Sequence, residues 1–157
     1  MNDLQFVLTL GGLLGCGLMA GLFFGFSTFI MRALAGLAPS QGIEAMQSIN
    51  RTVLNPWFLG VFFGTAVICL GLACWSLWQW ELPNAGSLLA GSGLYLLGTL
   101  GVTVVFNVPL NKALDRVDSA SAQAPADWAG YLKTWTAWNH VRTVAAVLAM
   151  TAFAIGL

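Results

Sequence analysis

Residues 4–31 read LQFVLTLGGLLGCGLMAGLFFGFSTFIM, a run without one charged side chain. A helix of about 20 apolar residues crosses roughly 30 Å of hydrocarbon, so this run predicts a membrane-spanning helix. Outward from it, three more stretches repeat the signal: Trp57 to Trp80, Ser87 to Val108, and Trp135 to Leu157. None alternates polar and apolar residues at the two-residue period of a barrel strand. The predicted fold is all-α, a single integral membrane domain over residues 1–157. It is expected to be a four-helix transmembrane bundle with spans near 5–31, 57–80, 87–108 and 135–157. Composition points the same way. Only 8% of the residues are charged, against roughly 25% in an ordinary soluble domain. A mean hydropathy of +0.80 excludes a soluble enzyme, and a net charge of zero gives no basis for a nucleic-acid partner. The first run is too long for a signal-peptide core, and its leader holds Asp3 but no Lys or Arg. Cys16, Cys69 and Cys74 fall within predicted spans and read as small apolar residues rather than redox groups.

Basic residues set the expected orientation. Arg32 and Arg51 bound the first connection, and Lys112, Arg116 and Lys133 occupy the third; the opposite side has Asp3 and Glu81 only. The positive-inside rule therefore places the first and third connections in the cytoplasm and both termini outside, the expected location being a bacterial inner membrane. Trp75, Trp78 and Trp80 suit the outer aromatic belt, and Trp57, Trp128 and Trp135 the inner one. Gly17, Gly21 and Gly25, four apart, and Gly60 with Gly64 predict a seam where two backbones approach, with a spare face that would allow a homo-oligomer. Within the first connection, Ile43, Met46, Ile49 and Val53 recur with helical period after Pro39-Ser40, predicting a short amphipathic helix on the membrane surface. The stretch from Asp115 to Asp127 is rich in Ala and Ser and contains Pro125, which reads as an irregular, mobile loop.

Polar residues collect at one end of the predicted bundle. Ser27, Thr28 and Arg32 end the first span; Asn50, Arg51 and Asn55 precede the second; Asn107 and Asn111 flank Pro109 after the third; Asn139, His140, Arg142 and Thr143 open the fourth. In an alternating topology these ends share one side, which predicts a single site there. At 1.5 Å per residue, Arg142 lies about 22 Å from the C-terminal end and His140 about 26 Å, both inside the hydrocarbon edge. No span offers Arg142 a carboxylate. It must find backbone carbonyls, Asn side chains, an anionic ligand, or a lipid phosphate reached by snorkelling. His140 is the one histidine, the side chain whose ordinary titration range suits it to proton transfer near neutrality. It could equally be structural. Asn55 could cap a helix before Pro56, and Asn107 could bond a carbonyl freed by Pro109. One histidine and no intramembrane carboxylate cannot supply three metal ligands.

The runs AMQSINRTVLNP (45–56), VFNVPLN (105–111) and WTAWNHVRT (135–143), with GLFFGFS (21–27) closing the first helix, resemble the signature segments of the anthrone oxygenase family of small membrane proteins. That resemblance implies oxidation of a hydrophobic phenolic or anthrone-like small molecule near the inner leaflet. It would use molecular oxygen as co-substrate, with no metal or flavin. Such chemistry needs a base, an oxyanion stabiliser and a dry aromatic cavity. The expected catalytic residues are His140 as proton acceptor, with Arg142 and Asn139 holding the oxyanion. The expected substrate contacts are Asn55, Asn107, Asn111, Trp57, Trp138 and Arg51. A second class stays open: a non-enzymatic membrane protein that binds or passes a lipid or small amphiphile, its headgroup held by Arg142. Membrane lipids are expected partners in either case.

Overall fold

A computed structural model describes residues 2–157, and these fold into five helices. Four are long and apolar enough to cross a membrane: α1 (Asp3–Ala35), α3 (Pro56–Trp78), α4 (Ala85–Leu114) and α5 (Ala124–Gly156). Between the first two of these lies α2 (Pro39–Thr52). Asn2 and Asn55 start α1 and α3 as N-caps, their side chains accepting from the Gln5 and Phe58 backbone N–H groups at 2.8 and 3.0 Å. Pro at the first turn of α2, α3 and α5 fits a position whose N–H has no helical partner anyway.

The four long helices close a ring in which α1 packs on α5, α5 on α4, α4 on α3 and α3 on α1. The central core joins Cys16, Phe23, Phe62, Leu72, Tyr95 and Phe153. A second core lies at the end bearing α2, where Ile43 and Met46 are sealed against Trp128, Tyr131 and Trp135. The outward faces are apolar, with Val67, Leu97 and Ile155 each at least 70% exposed. That surface suits lipid and not water, so the chain is an integral membrane protein.

Several expectations need correction. α5 begins at Ala124, well before residue 135, so only residues 115–123 form the connection. Its Ala/Ser-rich start is helical because Pro125 sits in the first turn, and because Trp128, Tyr131 and Trp135 share one buried face. Trp128 and Trp135 are therefore core residues and not a membrane belt. The anticipated glycine seam is also displaced. A Cβ on Gly21, Gly60 or Gly64 would meet nothing within 4 Å. Close approach occurs instead at Gly15, Gly98 and Gly91, where an added Cβ would run into Thr65, would lie 2.5 Å from the Ala145 methyl, and would lie 3.2 Å from the Ala149 carbonyl oxygen. The buried stripe of α1 runs through Gly12, Gly15, Cys16, Met19 and Phe23, which leaves Gly21 on the outer face.

α1 and α4 are locally π-helical, over Phe26–Ile30 in α1 and over Leu94–Gly101 and Thr103–Asn107 in α4. In α1 the Asn139 amide bonds the Phe23 carbonyl at 2.8 Å, inserting a side chain into the backbone ladder just before it widens. In α4 the widening directly precedes Pro109, which has no N–H and whose ring crowds the carbonyl four residues back.

Candidate active site

Arg142 is the centre of the polar cluster. It is only 5% exposed, although its helix crosses the apolar bundle. Nη2 donates to Asn139 Oδ1 at 2.7 Å and Nη1 to Thr103 Oγ1 at 3.2 Å. The guanidinium carbon lies 4.2 Å from the Phe23 ring centroid and 5.2 Å from that of Trp135, so aromatic faces supply part of the missing counter-charge. Among the described residues no carboxylate pairs with it, and its Nε has no hydrogen-bond acceptor. The guanidinium therefore does not snorkel to the lipid phosphate.

Asn139 fixes that group in place. Fully buried, it accepts from Arg142 and donates through Nδ2 to the Phe23 carbonyl at 2.8 Å and to Ser27 Oγ at 2.7 Å. Thr143 donates to the Asn139 carbonyl at 2.8 Å, so the 2.9 Å contact between Ser27 and Thr143 is completed by the Ser27 proton. Thr103 likewise donates to the Thr99 carbonyl, leaving its oxygen to accept from Arg142. Asn111 Oδ1 accepts from Trp135 Nε1 at 2.7 Å and from the Tyr131 hydroxyl at 2.9 Å. That pair of bonds sets the angle of the indole that covers Arg142.

These groups enclose a cavity of about 100 Å³ between α1, α2, α3, α4 and α5. Phe23, Phe26, Phe58 and Trp135 form its aromatic walls, and Arg142, Asn50, Asn111 and Thr103 its polar lining. The Asn50 amide nitrogen is buried without an acceptor, as is Arg142 Nε. A groove of about 340 Å³ lies beside the cavity, lined by Arg51, Lys112, Asp115 and Arg116. Asn50, Val53, Leu54, Val108 and Asn111 line both spaces.

The structure brings together only part of the expected set. Arg142 and Asn111 line the cavity, and Asn139 supports it from behind. Asn107 is buried against the Trp135 carbonyl at 3.3 Å but does not line it. Asn55 is the N-cap of α3, and Trp57 is 87% exposed. Trp138 stacks on Phe106 at 3.6 Å, away from the cavity. Arg51 lies in the outer groove, paired with Asp115 at 2.6 Å. The expectation that His140 shares a cavity with Arg142 fails. His140 is exposed in a separate groove between α1 and α5. Two residues apart on a helix means about 200° around its axis, which puts the two side chains on opposite faces. Phe23 and Thr103 were not among the candidates. Thr103 could have been found as the last hydroxyl side chain before the polar end of the third span.

Among the described residues, no three His, Cys, Asp or Glu side chains come close enough to hold one metal ion. No curated protein and no solved structure matches the chain significantly. A family model described as anthrone oxygenase matches residues 57–152, which include Thr103, Asn111, Trp135, Asn139 and Arg142. That match covers more than half of the sequence, so the chain belongs to the anthrone oxygenase family.

Proposed function

We propose that the chain is an oxygenase that converts an anthrone-like phenolic ketone to the quinone at the Arg142 cavity. One observation carries this reading: a buried guanidinium with no carboxylate partner, an unfilled Nε, and two aromatic faces against it. Such a site lacks an acceptor of negative character, and an oxyanion flanked by flat rings supplies one. Loss of a proton from the methylene opposite the ketone gives an aromatic anion whose charge rests largely on oxygen, where Arg142 holds it. The anion passes one electron to molecular oxygen, and the two radicals join at carbon as a peroxide. The peroxide anion takes up a proton from water, and loss of water from the hydroperoxide then leaves the second carbonyl. One substrate and one oxygen molecule thus give one quinone and one water, and no bound cofactor has to supply electrons.

The cavity lining includes no histidine and no carboxylate, so the proton leaves with water through the adjoining groove. Ligand pockets are usually about 300–1,000 Å³, and the inner cavity alone is smaller. A tricyclic substrate therefore has to displace Val53 and Leu54 and occupy both spaces. Oxygen uptake by the detergent-purified protein on a hydroxylated anthrone tests the reading. Arg142→Gln is expected to lower turnover about 100-fold or more, as loss of an oxyanion donor does. No uptake by the unaltered protein on such ketones, or unchanged turnover in the variant, would overturn it.

A further inference from the structure

On the opposite face of α5 from Arg142, a groove of about 430 Å³ runs between α1 and α5. Its charged and titratable lining is Arg32, Lys133 and His140, and none of the six acidic residues lines it. All three side chains are exposed, and among the described residues none has a hydrogen-bond or ion-pair partner. Nothing in the proposed oxidation uses them. Arg32 and His140 belong to the polar cluster of the sequence but lie outside the Arg142 cavity.

The two helices run antiparallel, and Ser27 bonded to Asn139 and Thr143 fixes their register. From that level, 1.5 Å per residue places Lys133 about 9 Å and Arg32 about 7 Å toward the α2 end, while His140 stays at the Ser27 level. Two cations thus stand at the mouth of the groove, and His140 stands about 10 Å deeper than Lys133 along α5. Met31 and Leu132 give the groove apolar walls at the level of the cations, and the exposed Phe24 and Val144 continue an apolar floor about one turn deeper than Ser27 and His140. A free anion has no use for an apolar floor that descends into the hydrocarbon. A glycerophospholipid matches all of it: phosphate at the two cations, ester carbonyls below, acyl chain on the floor.

We propose that this groove is a binding site for the headgroup of an anionic glycerophospholipid. Arg32 and Lys133 hold the phosphate, and His140 donates an N–H to a glycerol ester carbonyl. The lone histidine then serves lipid recognition on the outside of the bundle while Arg142 serves the interior.

Native mass spectrometry of the detergent-purified full chain, titrated with phosphatidylglycerol and phosphatidylcholine, tests this. The expected result is one phosphatidylglycerol held about tenfold or more tightly than phosphatidylcholine. The Arg32→Gln/Lys133→Gln double variant should lose that preference, with an unchanged melting temperature in lipid-free detergent. His140→Gln should weaken both lipids alike, since both carry ester carbonyls. Lys112→Gln/Arg116→Gln removes the same charge from another face and should keep the preference. If both double variants lose it equally, the attraction is diffuse and the site is refuted. Displacement of the lipid by millimolar inorganic phosphate would make this a free-anion site and overturn the lipid assignment. Retention of the preference in Arg32→Gln/Lys133→Gln would overturn it too.

Discussion

Arg142 shows how a charge survives inside an apolar bundle. An unpaired ion in such surroundings costs several kcal/mol or more, and partial compensation comes from two hydrogen bonds and two aromatic faces. The bond to Asn139 joins residues three apart on one face of α5, whereas His140 points about 200° away from Arg142. That angle separates two substitutions that look similar in the sequence. His140→Gln is expected to retain oxygen uptake within about twofold, because the side chain neither lines the cavity nor touches a residue that does so through a hydrogen bond. Arg142→Lys is expected to lose it as Arg142→Gln does, since a single ammonium cannot bond Asn139 and Thr103 and still face a substrate oxyanion. Loss of turnover in His140→Gln with the fold intact would return the proton to the histidine. The polar cluster itself was legible in the sequence, because polar residues inside apolar runs stand out. Their division between two faces of α5 follows from helical angle, but the expectation of a single site shared by His140 and Arg142 set that angle aside. What could not be read was the contribution of Phe23, since one phenylalanine among several in α1 carries no mark of the guanidinium it covers.

At the scale of the elements, the apolar runs found the four spans because helix length is dictated by bilayer thickness. The ends of those helices were harder to read. α5 continues through an Ala/Ser-rich segment, and α4 continues past Pro109, because tertiary packing against α2 outweighs local propensity there. The π-helical segments were not legible at all. They answer to contacts made across the bundle, the Asn139 amide on the Phe23 carbonyl being one, and they carry Ser27, Thr103 and Asn107 at the polar end. The glycines give the sharpest test of packing. Gly98 faces the Ala145 methyl so closely that any side chain would separate α4 from α5, and no flexible group is there to yield. Gly98→Leu is expected to destabilise the bundle by about 1–3 kcal/mol or more, read as a lower melting temperature in detergent. Gly21→Leu, on an open face, should leave that temperature unchanged. A melting loss in Gly21→Leu that disappears on dilution would show a second copy seated on this face.

Across the whole molecule, the two ends of the bundle are built differently. One end carries only Asp3 and Glu81, and is closed by Asn84 donating to the Gly156 carbonyl at 3.0 Å. The other carries Arg32, Arg51, Lys112, Arg116 and Lys133, the surface helix α2, and the openings of both grooves. All the connections are far shorter than the roughly 60 residues beyond which basic residues lose their hold on topology, so each of those five counts toward orientation. Acidic residues contribute little to that rule, and Glu44, Asp115, Asp118 and Asp127 at the same end do not cancel it. On that bias we propose that the α2 end faces the cytoplasm. The groove beside the Arg142 cavity would then open to the cytoplasmic interface, and the groove proposed for a lipid headgroup to the inner leaflet. A reporter active only in the cytoplasm should give signal when inserted near Ser121 and none when fused after Leu157. Signal from the Leu157 fusion and silence at Ser121 would invert the molecule. Both grooves would then face the other leaflet, and a hydrophobic ketone made in the cytoplasm would have to cross the bilayer before reaching Arg142.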